Sequence, residues 1–131
     1  MLRGISTVSF WTTDLPSAVQ WYTELLGHGP YVQRPGYAQF RIGDYEQELV
    51  LIDAQDAPVG HAIDPGGAIV YWHVDDVAGF RDRVLAAGAR ELEPVTDRGD
   101  GLVTASVVDP YGNVLGFVYS RHFLDRLPPS S

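Results

Sequence analysis

No cysteine occurs in these 131 residues. The chain can therefore form no disulfide, offers no thiolate nucleophile and builds no cysteine-type zinc site. That absence fits a reducing compartment. Basic residues are scarce as well: 9 Lys and Arg against 17 Asp and Glu leave a formal net charge of -8. Binders of nucleic acid or of an anionic membrane carry a basic patch, so this balance argues against both as partners. No apolar run approaches the ~18 residues of a membrane-spanning helix. Met1-Leu-Arg-Gly passes directly into a strand pattern, with no room for a signal peptide, and a cytoplasmic protein is the expectation. Neither G-x-G-x-x-G nor a Walker pattern follows Gly66-Gly67, and there is no G-x-S-x-G elbow, so a phosphate loop and a serine hydrolase are both unsupported.

What is present is an ordinary globular composition, 45% hydrophobic and 20% charged, in a length that suits one domain with a sizeable core. The strongest signal is a duplication. Ser6-Thr-Val-Ser-Phe-Trp-Thr-Thr-Asp-Leu leads into Ala18-Val-Gln-Trp-Tyr-Thr-Glu-Leu-Leu, closed by Gly27. Gly67-Ala-Ile-Val-Tyr-Trp-His-Val-Asp-Asp-Val leads into a helical pattern from Phe80 to Ala87, closed by Gly88. Each copy has an apolar or aromatic strand, a capping Asp (Asp14, Asp76) and a terminating Gly.

In the first copy the spacing predicts a strand over Ile5 to Thr12 and a helix whose buried stripe is Val19, Tyr22, Leu25 and Leu26. Strands follow over Tyr31 to Arg34, Tyr37 to Ile42 and Glu48 to Ile52, with Pro35-Gly36 and Gly43-Asp44 as turns. In the second copy, the strand Ala68 to Val74 precedes a helix with Val77, Phe80 and Val84 inward. Strands then fit Arg90 to Val95, Leu102 to Val108 and Val114 to Ser120, the last preceded by the turn Asp109-Pro-Tyr-Gly-Asn. The tail from Arg121 to Leu127 can form a helical turn before Pro128-Pro129. The expected fold is α+β: two tandem βαβββ modules forming curved mixed sheets around a shared cavity. As one domain of 131 residues it divides into module one (about 4–53), a linker (54–66), module two (about 67–120) and a tail (121–131).

Paired βαβββ modules, Asp14-Leu15 followed by Trp21-Tyr22 and Leu26-Gly27, and Asp109-Pro-Tyr-Gly-Asn-Val-Leu before the last strand resemble the vicinal oxygen chelate superfamily. This is the glyoxalase, bleomycin resistance protein and extradiol dioxygenase group, and the resemblance runs from Ile5 to about Tyr119. It implies a homodimer, and in metal-using members a divalent ion held by His, Gln or Glu side chains. By that resemblance the ligand positions fall on Thr7, on Val50 or (in an alternative register) Glu48, on Ile69 and on Gly116. Ile has no donor, Gly has no side chain, and a neutral Thr hydroxyl is a weak ligand, whereas a catalytic zinc or iron site usually needs three protein ligands. The expectation is a chain without the family's metal centre and with no cofactor.

Strand alternation names the expected cavity lining: Thr7, Ser9 and Trp11, then Ile69, Tyr71 and His73, then Val114, Gly116 and Val118, joined by Glu48, Val50 and Ile52 in the matching register. Gly116 in place of a long side chain leaves space. Trp11 and Tyr71 either stack on a flat ligand or fill the core. His73 is either a general base or hydrogen-bond donor to a ligand, or a strand-end histidine satisfied by a neighbour. Glu48 either orients that imidazole or binds a cationic ligand, or with Glu46 is a solvated charge. His28 and His61 read as surface residues, His122 as a solvated tail residue or a cap on the cavity mouth, and Arg98-Gly99-Asp100 as a turn. Two functions follow, beside a plainer third in which side chains fill the cavity and the protein's role is a dimer contact. One is metal-free binding of a small organic ligand, possible by sequestration alone. The other is a lyase, isomerase or dioxygenase-type enzyme using His73 and Glu48, metal-free or with a non-standard metal site.

Overall fold

The structure is a computed structural model that describes residues 1–60 and 67–128. His61 and the end of the expected linker lie outside the described residues, as does Pro129. The chain divides into two compact units, Met1–His61 and Ala62–Ser131.

The first unit holds β1 (Thr7–Thr12), α1 (Leu15–Leu26), β2 (Val32–Arg34), β3 (Tyr37–Ile42) and β4 (Gln47–Asp53), followed by a 3-10 turn at Ala54–Asp56. The second holds β5 (Tyr71–His73), α2 (Val77–Ala86), β6 (Arg90–Gly99), β7 (Leu102–Val108), β8 (Val114–Ser120) and α3 (Arg121–Asp125). Each unit has one four-stranded mixed sheet, in the orders β1-β4-β3-β2 and β5-β8-β7-β6. In each sheet the first strand pairs parallel to the fourth and the other pairings are antiparallel. The duplication in the sequence is thus a duplication of topology.

Local chemistry sets the helices. The Asp14 carboxylate accepts from the Ser17 amide (3.2 Å), Pro16 occupies the first turn, and Gly27 closes α1 in the left-handed region at φ 81°. The Asp76 carboxylate accepts from the Gly79 amide (3.0 Å) at the start of α2. The buried stripe of α1 is Ala18, Tyr22 and Leu25; Val19 and Leu26, expected inside, are half-buried. Tyr22 is fully enclosed and meets the Phe10 ring of β1 at 6.2 Å. On α2, Val77 and Val84 are buried, and Phe80 meets Phe117 of β8 edge to face at 4.8 Å. Each sheet therefore has a face covered by its helix and a far face turned away from it.

Two strands differ from the sequence reading. β5 is shorter than Ala68 to Val74, because bonding to β8 begins at the Val70 carbonyl, which accepts the Gly116 amide at 3.1 Å. β6 is longer than Arg90 to Val95. Register shifts between Glu91 and Glu93 and between Glu93 and Thr96 keep it beside β7, and Pro94 is tolerated because β6 is an edge strand.

The turn Asp109-Pro-Tyr-Gly-Asn is fixed by its first residue. Buried Asp109 accepts from the amides of Tyr111 (2.9 Å) and Asn113 (2.8 Å) through one carboxylate oxygen. Asp109→Ala strands both donors and is expected to cost about 1–3 kcal/mol, whereas Asp109→Asn, which keeps an acceptor, costs less. Urea denaturation of the two variants checks this; equal losses would refute the assignment.

Candidate functional site

The short strand β5 pairs Tyr71 with Gly116, Trp72 with Phe117 and His73 with Val118. Phe117 faces α2 through Phe80, so Trp72 shares that face. Tyr71, His73, Gly116 and Val118 share the far face with Ser106 and Thr104, their partners one strand further on. Gly116 does not leave the space expected of it. A Cβ built there would lie 2.7 Å from the Val70 carbonyl oxygen, 2.8 Å from Cδ1 of Tyr71 and 2.9 Å from Cγ2 of Ile69. Backbone and two side chains already fill the volume.

The Tyr71 hydroxyl continues from that contact into a polar cluster. It donates to Glu93 Oε1 at 2.5 Å, and the buried Ser106 hydroxyl donates to the same oxygen at 2.8 Å. Arg98 Nη2 lies 3.8 Å from the other Glu93 oxygen, while Arg98 Nε donates to Thr104 Oγ1 at 3.1 Å. The hydrogen bond to Glu93 raises the Tyr71 pKa above the ordinary phenol value, with burial and the Glu93 charge adding to it. The hydrogen bonds from Tyr71 and Ser106 lower the Glu93 pKa. Stability from Glu93 is therefore present above the usual carboxylate range and lost as pH falls through its depressed folded value. Stability from Tyr71 is present below the ordinary phenol range and lost as pH rises through its raised folded value. The stability gap between wild type and Glu93→Gln should be full at neutral pH and close in acid. In the same variant Tyr71 should ionise at lower pH, read by ultraviolet absorbance against Tyr71→Phe. An unchanged phenol titration would refute the coupling.

His73 is committed to its own unit. Its Nδ1 accepts the Ser120 amide (3.1 Å), so its Nε2 carries the ring proton and donates to Asp75 Oδ1 (3.0 Å). The ring stacks on Phe123 of α3 with centroids 4.7 Å apart and planes 11° apart.

In the first unit, β1 and β4 pair Thr7 with Glu48, Ser9 with Val50 and Trp11 with Ile52. These six share the far face, since Val8, Phe10 and Thr12 alternate to the buried side. Both registers entertained for β4 thus fall on one face, with Val50 buried and Glu48 half-buried. The Tyr31 hydroxyl donates to Glu48 Oε1 (2.6 Å), and the Arg41 guanidinium lies over the Tyr31 ring at 4.0 Å. The bond to Glu48 raises the Tyr31 pKa. Glu48 and His73 belong to different units, and each is engaged inside its own.

A family model, the Glyoxalase/Bleomycin resistance protein/Dioxygenase superfamily, matches residues 4–117. The chain belongs to this superfamily. Among solved structures, a glyoxalase-related enzyme from Fulvimarina pelagi is similar with a TM-score of 0.74 and 22% identity, over 91% of this chain and 89% of that one. Lactoylglutathione lyase from Agrobacterium tumefaciens is similar with a TM-score of 0.71 and 21% identity, over 94% and 98%. At such identities the likeness shows the fold. Over 40 residues the chain is 45% identical to the trivalent organoarsenical cleaving enzyme of Thermomonospora curvata. That stretch is 30% of this chain and only 26% of that enzyme's length.

The glyoxalase/bleomycin resistance fold implies a metal ion in its metal-using members, and the residues here do not fit one. The Thr7 hydroxyl is hydrogen-bonded to the Ser6 hydroxyl (3.1 Å), Ile69 offers only carbon, and at Gly116 a donor side chain has no room. Glu48 is the one anionic donor at these positions, and Tyr31 holds it. Among the described residues, no three His, Asp or Glu side chains gather as a metal group. Sequence reasoning missed Glu93, Arg98, Ser106, Tyr31 and Arg41. The alternation that placed the other residues breaks at the bulges around Glu93, and Tyr31 stands one residue before β2. Of the expected turn, Arg98 and Gly99 are the last two residues of β6, with the Arg98 side chain reaching Thr104, and Asp100 lies in the turn that follows.

Proposed function

We propose that this member of the superfamily binds a small organic ligand, without the superfamily's metal centre, and retains it rather than transforming it. The observation that carries this reading is Gly116, where there is neither a donor nor space for one. The acid–base groups support it. Efficient proton transfer needs a group poised near the working pH, yet the phenols of Tyr31 and Tyr71 are shifted up and the carboxyl of Glu93 is shifted down. The acceptor nitrogen of His73 is already used by Ser120. The far face of the first sheet offers aromatic surface from Trp11, apolar contact from Val50 and hydroxyls from Thr7 and Ser9; that of the second offers Tyr71, Val118 and, beside Gly116, Ile69. With Glu48 on the first of these faces, Glu93 bonded to Tyr71 on the second, and a net charge of -8, the fitting ligand for either face is a flat organic cation. A homodimer belongs to the same reading, tested by light scattering after gel filtration.

The test uses protein purified without a His-tag. Native mass spectrometry should detect a non-covalent organic adduct that dissociates on denaturation, and metal analysis should find substoichiometric zinc, nickel, manganese and iron. Stoichiometric metal would overturn the metal-free reading. Tyr71→Ala should weaken adduct retention about tenfold, in line with the loss of one stacking contact.

A second reading, an enzyme, is favoured by the 40-residue likeness to an organoarsenical cleaving enzyme. Trivalent arsenic is a soft centre that thiolates suit best, and this chain has no cysteine with which to hold it. Turnover of any substrate abolished by His73→Ala, with ligand retention intact, would favour the enzyme.

A further inference from the structure

β8 runs two residues beyond the partner of the last residue of β5, since His73 pairs with Val118 and the strand continues to Ser120. The Ser120 amide thus lies past the end of its neighbouring strand. The His73 side chain takes the place of the missing strand carbonyl, accepting that amide on Nδ1. Ser120 is also the N-cap of α3, its hydroxyl accepting the Phe123 amide at 3.2 Å, and Phe123 lies flat on the imidazole. α3 has five residues, far too few to hold as an isolated helix. Among its attachments are this cap, this ring stack and the Arg121 amide on the Gly101 carbonyl (3.1 Å). The His73 side chain, only 8% exposed, joins the first two of them.

We infer that His73 is a proton-operated latch holding α3 over one end of the far face of the second sheet. An acceptor nitrogen that gains a proton becomes a donor, and it then opposes the Ser120 N–H instead of receiving it. The bond is lost, the cap residue is released, and α3 comes away from the ring. The cation is not left stranded, because Asp75 on the loop before α2 already touches Nε2 and is itself 89% exposed. The Tyr119 ring of β8 has its centroid 5.5 Å away, and α3 with its C-cap carries the charged or titratable side chains of Arg121, His122, Asp125 and Arg126. Asp76 is occupied by the Gly79 amide. From β7, Thr104 stands opposite Val118 and carries no charge. Histidine is the side chain whose charge changes across the physiological range. Its consequence for ligand access rests on the proposed function, since His73, on which Phe123 of α3 lies, shares its face with Tyr71 and Val118. The latch itself does not.

The test reads α3 in the full chain without ligand, so it fails or succeeds independently of ligand binding. In protein labelled with nitrogen-15, His73 should show an unprotonated Nδ1 at neutral pH. As the His73 ring gains its proton, followed by its own nitrogen-15 shifts, the Ser120 and Phe123 amide resonances should move with it toward disordered values. The Asp109 and Gly116 amides should stay. Corrected exchange protection of Ser120 should fall about tenfold, the effect of one net hydrogen bond. His73→Phe keeps a ring for Phe123 but removes the acceptor; its α3 should be loosened at every pH and indifferent to pH. Asp75→Asn should move the transition to lower pH. A protonated Nδ1 at neutral pH, α3 resonances unmoved through the His73 titration, or a wild-type response in His73→Phe would each overturn the latch. Should His73→Phe fail to fold, the nitrogen-15 measurement and Asp75→Asn decide alone.

Discussion

Gly116→Ala unfolds at a urea concentration about 1 M below wild type, for an expected loss of about 2–3 kcal/mol. One methyl group has this effect because of what it meets. The nearest atom, at 2.7 Å, is the Val70 carbonyl oxygen, which is backbone and already accepts the Gly116 amide. Tyr71 and Ile69 close the other sides at 2.8 and 2.9 Å. The Tyr71 ring cannot swing aside freely, since its hydroxyl is tied to Glu93. Relief requires β5 to move off β8, and β5 has only three residues with which to hold on. Gly116→Glu, which puts a carboxylate at the position that the family resemblance assigns to a metal ligand, should lose more stability than Gly116→Ala and gain no metal affinity. A Gly116→Ala variant with an unchanged midpoint would mean that the volume beside Gly116 is open, and the argument against a metal ligand there would fall with it.

Phe117→Ala loses about 3–5 kcal/mol, the range for truncating a buried aromatic side chain. Phe117 is fully buried on the helix-covered face of the second sheet, where it meets Phe80 edge to face. Its neighbours there include Trp72, opposite it across the parallel pair. The side chain therefore joins β5, β8 and α2. A typical domain has only about 5–15 kcal/mol of net stability, so this variant should be partly unfolded at 37 °C. Phe117→Leu, which refills most of the volume, should cost less than half as much. Chemical denaturation of both variants gives the comparison. Equal losses would show that volume is not what Phe117 supplies, and a loss under about 1 kcal/mol would show that α2 does not depend on it.

Much of this architecture was legible in the chain. The capping residues Asp14 and Asp76, the terminating Gly27 and the turn opened by Asp109 each act through neighbours a few residues away. Local chemistry of that range is written directly in sequence. The faces were legible too, because a strand alternates by geometry: Thr7, Ser9 and Trp11 fall opposite Val8, Phe10 and Thr12 in the structure as in the pattern. Alternation fails where the register slips. At Glu93 the bulges on β6 break the period of two, so no reading of the strand could pair that carboxylate with Tyr71, 22 residues earlier.

The amino-acid sequence by itself determined the order of elements, the repeated topology, the helix ends and the lack of a strong donor at Thr7, Ile69 and Gly116, where the family resemblance puts metal ligands. Tertiary structure alone decided that the volume beside Gly116 is filled, that Glu93 receives the Tyr71 proton donor, and that His73 spends its lone pair on Ser120. The reason is range. Periodicity and capping are short-range consequences of backbone geometry, but the occupant of a volume or the partner of a lone pair is set by which distant strands come to lie side by side.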